Sequence, residues 1–428
     1  GCKQEDGDKI KYLYHAGTNG IDYTTKVFSL ESANLDDLRY SNFFSDVVTS
    51  VGVGEKDYEK IQKEQSLSTG GIGLSFNVLP DSSGKKFLLS AGLHGSALKK
   101  NFSKLESLMN DTIHGFRLDE IKRLEELTQF EIAGKEKSIT QSGHILAMNG
   151  ASAQISKFGA VSEFVGGVSS IHNLKKLKDS NGKIKMDMLL ESFLKLKSSI
   201  NPASKIEVVI SANNQNYDKE TTTKTGLESL DVLNGIDLQS EEIAWITGSD
   251  VNFCAQAFPT VGYDHPDAPI LTVLGAVLRN GFLHSAIREK GGAYGSGAQQ
   301  DSGSRSFRFF SYRDPNCEET FNAFNESIEW SLKSINSEKL EEGILGVISS
   351  IDKPGSPAGE ARSDFNQSMR GIDQSKRKTF RNRVINCSVE RLVEVSNKYF
   401  TGEPKRSVIS GKHFEKEIKD LGLSIHYV

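Results

Sequence analysis

The sequence predicts an α+β fold of two homologous domains, each an antiparallel-dominated sheet packed with helices. The chain has 428 residues, which is too long for a single hydrophobic core. Short stretches of alternating apolar residues, typical of strands, are interspersed with longer stretches at helical spacing. One order of elements also occurs twice, since a shift of 221 residues carries Gly70-Gly71 onto Gly291-Gly292. Such a duplicated unit indicates two similar domains.

The first unit opens with a predicted strand at 23–30. A helical stretch then ends at Gly70-Gly71, and alternation over 72–78 predicts the next strand. After a polar turn, a second strand at 87–93 leads into a helix, and a strand at 206–210 closes the unit. The apolar residues expected on that helix are Leu98, Phe102, Leu105 and Met109.

The second unit repeats this order. A strand is predicted at 251–258, then a helix that ends at Gly291-Gly292, then a strand that begins at Tyr294. A Ser- and Gly-rich turn precedes the strand at 307–312, and a strand at 407–409 closes the unit. Between them lies a helix with Phe321, Phe324, Ile328 and either Trp330 or Leu332.

These units place the domain boundaries. The polar, Thr- and Lys-rich segment at 217–225 is the best candidate for a linker between domains. We therefore expect a linker or tail at 1–17, a first domain at 18–222 and a second domain at 223–428.

Composition narrows the class of protein. A hydrophobic content of 37% with 25% charged residues is typical of an ordinary globular protein. The net charge of −4 lacks the basic excess of a dedicated nucleic-acid binder. The apolar run at 270–278 is too short to span a bilayer, so no membrane partner is expected. The cysteines form no Cys-x-x-Cys pair, which argues against a disulfide framework or a zinc knuckle; they are Cys2, Cys254, Cys317 and Cys387.

A candidate site lies at the end of the second unit's first helix. Apolar residues recur at helical spacing over 270–278 and predict an amphipathic helix. His284 and Arg288 are four residues apart and therefore share one face of it. Arginine keeps its charge at every working pH, and its planar fork can hold a carbonyl group.

The residues that follow Arg288 end this helix and start a strand. Gly291 and Gly292 suit a helix stop, because glycine adopts the left-handed conformation that such a stop often needs. Tyr294 then offers a hydroxyl donor on a rigid ring, and Gly295 allows another backbone to approach closely. Two donors beside a strand edge would form a clamp for an extended peptide.

The chain alone is not expected to bind a catalytic metal. A zinc helix of the H-x-x-E-H type needs two histidines one turn apart, with a glutamate that activates water. The chain has nine histidines, and no two of them lie within five residues of each other.

Several motifs, in their order and spacing, resemble the C-terminal half of the pitrilysin-like zinc metallopeptidases (the insulinase family, or inverzincins), of the presequence protease and falcilysin type. The resemblance covers nearly everything after the first 17 residues. The matching stretches are Thr18-Asn19-Gly20-Ile21, Ser68-Thr69-Gly70-Gly71-Ile72, Ser142-Gly143-His144, Leu283 to Gly295, Ser311-Tyr312-Arg313-Asp314-Pro315-Asn316 and Asp352-Lys353-Pro354-Gly355-Ser356-Pro357.

The resemblance implies a half-enzyme that degrades short unstructured peptides. It assigns transition-state donors to Arg288 and Tyr294, while the zinc belongs to an N-terminal half on the same or a separate polypeptide. This chain alone would then be inactive. Relatives work in mitochondria, plastids and bacteria, so the compartment stays open. Substrate contacts are implied for His284, Gly291, Gly292, Ala293 and Gly295.

Other interpretations stay open at this point. Arg288 could simply complement the C-terminal dipole of its helix, and Tyr294 could be a half-buried strand aromatic. The alternating Arg305, Arg308 and Arg313 could grip a ligand, although alternation in a half-buried strand explains them without one. The whole chain could also be a non-catalytic scaffold of the same fold, or an unrelated peptide-binding module.

Overall fold

The structure is a computed structural model that describes residues 2–6, 9–30, 33, 35–203, 205–213 and 235–428. The predicted boundary segment at 217–225 lies outside the described residues. The division into 18–222 and 223–428 therefore stays a prediction.

The first part of the chain alternates strands with helices. In chain order they are β1 (Cys2–Asp6), β2 (Lys9–His15), β3 (Ile21–Ser29), α1 (Leu35–Leu38), α2 (Ser41–Val48), α3 (Tyr58–Ser68), β4 (Ile72–Pro80), β5 (Phe87–Leu98), a 3-10 turn (Lys99–Asn101), α4 (Phe102–Gly115), α5 (Ile121–Ser152), α6 (Lys157–Gly166), α7 (Val168–Lys175), α8 (Met186–Ser199) and β6 (Ile206–Ser211).

The second part follows the same plan. Its elements are β7 (Ile243–Pro259), α9 (Ala268–Leu278), a π-helical segment (Arg279–Lys290), β8 (Gly295–Asp301), β9 (Ser306–Tyr312), α10 (Glu318–Lys333), α11 (Ser337–Ile351), α12 (Pro357–Met369), α13 (Gln374–Ile385), α14 (Val389–Tyr399), β10 (Lys405–Gly411), a 3-10 turn (Lys412–Phe414), α15 (Glu415–Asp420) and β11 (Ser424–Tyr427).

The first sheet has six strands in the order β1-β2-β6-β3-β5-β4. Strands β2 and β6 pair in parallel, and the other neighbours pair antiparallel. One face of this sheet packs on a large apolar core that includes Phe44, Leu93 and Phe193. The sheet is thus antiparallel-dominated and helix-covered, as predicted.

The second sheet repeats this order around one long strand. Its five strands run β10-β7-β9-β8, with β11 also paired to β7. Ser407 of β10 lies opposite both Ile243 and Ala255, so β10 sits between two arms of β7. The first arm, residues 243–247, runs parallel to β10, and the second arm, residues 253–257, runs antiparallel to it. The first arm, β10, the second arm, β9 and β8 thereby match β2, β6, β3, β5 and β4, which confirms the expected pair of similar domains.

The interpretation of residues 1–17 as a linker is wrong. Residues 2–6 and 9–15 are strands β1 and β2, and Ile10 of β2 pairs with Ile206 of β6. Strand β1 is the edge strand of the first sheet, and β2 lies between β1 and β6, so both belong to that sheet.

The predicted start of the next helix is also displaced. Strand β5 continues to Leu98, and helix α4 begins at Phe102. Leu98, expected on the buried face of that helix, lies on the strand and is half exposed. Residues Leu105 and Met109 are buried on α4 as expected.

Helix α9 is not amphipathic, contrary to the prediction. Most of its residues are buried, because it packs against β8, α11, α13 and α14. Within the described residues, Ala268–Lys290 is long and apolar enough to cross a bilayer by length and composition. Half of that stretch is buried, and its location in the second core is that of a core helix.

Each of the two domains packs one of its helices on the sheet of the other domain. The long helix α5 of the first domain covers the second sheet, where Leu146 and Ala147 pack with Phe253 and Ile409. A Cβ at Gly143 of α5 would lie 2.5 Å from the Phe253 ring, so the two elements are in close contact. In return, α12 of the second domain covers the first sheet. Its apolar residues on that face are Ala358, Ala361, Phe365 and Met369.

Candidate active site

The π-helical segment positions the predicted cation. Its residues Leu283 and Ile287 are buried in the second core, which leaves His284 and Arg288 on the exposed side. The sequence spacing had placed these two side chains together, and Arg288 Nη1 lies 3.3 Å from His284 Nε2. His284 Nδ1 is 3.5 Å from Glu289 Oε1. The guanidinium and the imidazole thus share one face, as predicted.

The helix ends in a turn that is widened by one residue. Gly292 N–H donates to Arg288 O and Ala293 N–H donates to Ile287 O, both at 3.1 Å. Each of these two hydrogen bonds spans one residue more than its counterpart in an ordinary Schellman motif. Gly292 has a φ of +82°, the left-handed region that favours glycine, whereas Gly291 does not. We call residues 291–293 the double-glycine turn.

Tyr294 leaves this turn with its side chain in solvent. The residue is 68% exposed, so the interpretation as a half-buried strand aromatic does not apply. Its backbone N–H donates to Tyr312 O at 3.1 Å and to Arg313 O at 3.2 Å. Its ring also meets the Tyr312 ring edge to face, with centroids 5.6 Å apart. The backbone of Tyr294 is therefore fixed, while most of its side chain is exposed to solvent.

Tyr312 joins this site to the first domain. Its hydroxyl donates to Gln141 O at 3.3 Å, next to Ser142, where α5 departs from helical geometry. The His144 ring packs against Tyr312 with centroids 4.8 Å apart, and burial holds the pKa of His144 below its usual value. In the sequence, Ser142 to His144 was notable only as part of a family pattern. In the structure, this segment lies next to Tyr312, which in turn contacts the candidate donor Tyr294.

Strand β8, at the edge of the second sheet, lies beside the donors. It pairs with β9 alone among the described strands. Alternate residues of an antiparallel strand direct their N–H and C=O groups to the same side. Because Tyr294 bonds toward β9, Gly295 and Gly297 direct theirs away from it. The edge is only partly open, since Ser296 Oγ donates to Leu283 O of the π-helical segment at 3.1 Å.

Several predicted substrate-contacting residues already have internal partners. The N–H groups of Gly291, Gly292 and Ala293 all donate within the helix end. The carbonyl of Gly291 accepts a hydrogen bond from Asn316 Nδ2 at 2.7 Å. Ala293 is buried, so its side chain cannot reach a ligand. His284 and Gly295 remain the ones best placed for contact.

Asn316 and Tyr312 are site residues that the residue chemistry did not suggest. Both lie in the segment 311–316, whose order of residues was noted only as a resemblance. The surplus of hydrogen-bonding side chains just after a predicted strand is the signal that could have drawn attention to them.

The described residues do not fit a zinc ion. In the described ranges, no group of three or more His, Cys, Asp or Glu side chains is arranged to hold a metal. A cavity of about 1140 Å³ between β2, the loop at 352–357, α12 and α13 is lined by other residues than Arg288 and Tyr294. Arg308 does not fit a ligand-binding role, since its side chain is largely buried and pairs with Asp301 at 3.1 Å.

Two family models match the chain. The model of a domain associated with subfamily C of the M16 peptidases covers residues 3–177, and the one described as "PreP C-terminal domain" covers residues 249–403.

Curated relatives agree with them. The mitochondrial presequence protease of Drosophila melanogaster is 27% identical over 397 residues, which cover 90% of this chain and 38% of that protein. That of Yarrowia lipolytica is 27% identical over 410 residues, with 92% and 40% covered. The chain therefore spans about two fifths of the length of these relatives.

Solved structures support the fold. A Pseudomonas fluorescens protein described as a peptidase M16 inactive domain matches with a TM-score of 0.60 and 13% identity, over 96% of this chain and 97% of that one. A conserved Enterococcus faecalis protein matches with a TM-score of 0.64 and 10% identity, over 95% and 97%. The sequence matches and the duplicated fold agree, and the chain belongs to the M16 (pitrilysin-like) family of zinc metallopeptidases, as the C-terminal part of the presequence protease type.

Proposed function

We propose that this chain is the substrate-binding C-terminal half of a zinc metallopeptidase that degrades short unstructured peptides. It supplies Arg288 and Tyr294 as donors to the transition state and contributes no zinc ligands. The zinc is held by an N-terminal half, on the same polypeptide or on a separate chain.

The exposure of both donors on either side of a fixed turn carries this proposal. Arg288 and Tyr294 are exposed although their flanking residues Ile287 and Ala293 are buried. In the described part of the chain, Arg288 forms no ion pair with a carboxylate, and its hydrogen-bonding partner is His284. Two polar groups held in this way at a surface are free to meet a ligand from another part of the enzyme.

Their chemistry suits peptide hydrolysis. The scissile carbonyl becomes a tetrahedral oxyanion, and fixed donors near that oxygen stabilise the transition state more than the ground state. Each such donor contributes about 3 kcal/mol. A guanidinium and a phenol both carry hydrogen-bond donors that can reach such an oxygen.

Strand β8 suits an extended substrate. The backbone groups of Gly295 point away from β9, and this glycine is only partly buried, so a second chain can approach it. Pairing through backbone atoms tolerates varied side chains, which fits the degradation of peptides of unrelated sequence.

The first test concerns the division of labour. We expect the isolated chain to bind no stoichiometric zinc and to cleave no peptide, and activity to appear when the N-terminal half is added. Metal analysis and a fluorogenic peptide assay measure both. Robust cleavage by the isolated chain would contradict the proposal.

The second test concerns the donors in the complete peptidase. Arg288→Ala and Tyr294→Phe should each lower kcat by about 100-fold, because each removes a donor that acts in the transition state. Arg383→Ala is the matched control, since Arg383 also lies exposed in the last turn of a helix, α13. If Arg288→Ala and Arg383→Ala change kcat equally, Arg288 only complements the dipole of its helix. Unchanged turnover in all variants would favour a non-catalytic scaffold.

A further inference from the structure

The carbonyl of Gly291 is held by a side chain from outside its helix. The last carbonyls of a helix have no partner within it. Gly291 O receives Asn316 Nδ2 at 2.7 Å. This bond fixes the peptide group between Gly291 and Gly292, which lies between Arg288 and Tyr294 in the chain. A Cβ at Gly291 would lie 2.6 Å from Ile287 O, so the turn leaves no room for a side chain at this position.

Asn316 is itself held rigidly. Its N–H donates to Asp314 Oδ1 at 2.9 Å, and its carbonyl accepts from Asn252 Nδ2 at 3.2 Å. Asn252 and Asp314 are fully buried and exchange two backbone hydrogen bonds, of 2.7 and 2.9 Å. Thr320 Oγ1 donates to the second carboxylate oxygen of Asp314 at 2.6 Å. The backbone of Asn316 is therefore fixed by buried residues, and its side-chain amide reaches the turn from this rigid position.

The same segment also holds the other end of the turn. Tyr294 N–H donates to the carbonyls of Tyr312 and Arg313, three or four residues before Asn316. Pro315 lies beside Gly292, with its Cγ 3.6 Å from the position of a Cβ there. One stretch of chain, residues 312–316, thus contacts Gly291, Gly292 and the backbone of Tyr294 just after the turn.

From this geometry we infer that Asn316 is a positioning residue for peptide hydrolysis, whose side-chain amide sets the separation and orientation of Arg288 and Tyr294. It acts through the double-glycine turn and touches no substrate. The inference rests on the proposed function of those two donors.

Loss of this bond should affect the chemical step. A displacement of about 1 Å in a catalytic group can lower turnover about 100-fold. Because the donors act in the transition state, kcat should fall while KM changes little. A purely structural role would instead lower the amount of folded protein and leave kcat per folded molecule unchanged.

The test uses the complete peptidase. Asn316→Ala and the isosteric Asn316→Asp should each lower kcat at least 10-fold, with the melting temperature measured in parallel. Should Asn316→Ala lose stability, Asn316→Asp decides, because it keeps the shape of the side chain. The control is Asn386→Asp at the end of α13. It removes a side-chain amide hydrogen bond of similar length, from Asn386 Nδ2 to Asn382 O at 2.8 Å. Wild-type kcat in both Asn316 variants would overturn the inference.

A double-mutant cycle separates positioning from structure. In an Arg288→Ala, Tyr294→Phe background, Asn316→Ala should cause no further fall in kcat, because there are no donors left to position. A fall of the same factor as in the wild-type background would overturn the inference. If the donor variants alone leave kcat unchanged, the proposed function fails. If they lower kcat and the Asn316 variants do not, only the positioning role fails.

Discussion

Glu163 is a buried carboxyl group at the junction of α6 and α7. It lies on α6 and its Oε1 accepts from Ser169 N–H at 2.9 Å, at the start of α7. Its other oxygen has no hydrogen-bond partner among the described residues. Burial raises the pKa of Glu163 from 4.5 to about 7, because the charged form is poorly solvated there.

This pKa predicts a stability that falls with rising pH. The folded state holds the proton more tightly than the unfolded state, so the loss begins near 4.5 and is complete somewhat above 7. The shift corresponds to roughly 3 kcal/mol. Glu163→Gln, which keeps an oxygen for Ser169, should remove this fall when urea unfolding is measured at pH 5 and pH 8.

The matched control for that measurement is Glu191→Gln, because Glu191 is fully exposed and pairs with Lys195 at 2.8 Å. It should leave the pH dependence unchanged. The assignment fails if Glu163→Gln unfolds with the same pH dependence as the wild type.

At this scale the sequence predicts what lies close along the chain. His284 and Arg288 could be placed together from helical spacing alone, and the contact was found. Asn316 could not be foreseen, since its partner is a main-chain oxygen 25 residues away. The same holds for Cys254 and Cys317, which are 63 residues apart and whose sulfurs are 3.8 Å apart, both buried as free thiols.

The π-helical segment is the element that defines the site. Its bonds span one residue more than those of an α-helix, as in Gly291 N–H to Ala286 O at 3.1 Å. Such segments are uncommon and often occur at functional sites. The helix stop at Gly291-Gly292 was predictable from glycine, but the wider helix was not, because apolar spacing over three turns fits both kinds.

Gly292 provides a test of this element. Its φ of +82° makes Gly292→Ala strained by about 1 kcal/mol, although a Cβ would meet only Pro315, at 3.6 Å. We expect lower stability, and lower kcat in the complete peptidase as the turn shifts.

The control for Gly292→Ala is a glycine-to-alanine substitution that is expected to raise stability. Gly346 lies exposed inside α11, and a Cβ there would meet nothing within 4 Å. Gly346→Ala should therefore raise stability by about 0.5 kcal/mol, through helix propensity. Equal melting temperatures for the two variants would show that the left-handed residue carries no strain.

Elements with strong alternation were predicted well. The strands at 251–258 and 307–312 fall within β7 and β9, and the helix with Phe321 and Phe324 is α10. Errors arose where burial departs from the simple pattern. Strands β1 and β2 are too polar to stand out, and α9 is apolar on most sides because four elements surround it.

At the scale of the whole molecule, each domain depends on a helix from the other. Helix α5 covers the second sheet and α12 covers the first. A polar contact crosses the same interface, since Tyr14 Oη donates to Asp364 Oδ2 at 3.2 Å. Sequence patterns assign an apolar helix face to its own domain, so this exchange was not predictable.

This exchange predicts one cooperative unfolding transition. Phe365→Ala, in α12, removes a buried ring that meets Tyr12 with centroids 5.2 Å apart, and should cost about 3 kcal/mol. Both domains should lose stability together. The two tryptophans, Trp245 and Trp330, lie in the second part of the chain and report on it, while hydrogen exchange in β3 and β5 reports on the first.

The control is Phe130→Ala, since Phe130 is 73% exposed on α5. It should change neither signal. Separate transitions for tryptophan fluorescence and for exchange in β3 and β5 would contradict the single transition.

The exchanged helices also limit how the two domains can move relative to each other. A cleft opening between these two domains would expose the apolar faces of both sheets to water at once, which is unfavourable. We therefore expect the two domains to move as one rigid body, so in the peptidase proposed above a peptide would enter between this body and the proposed zinc-bearing half.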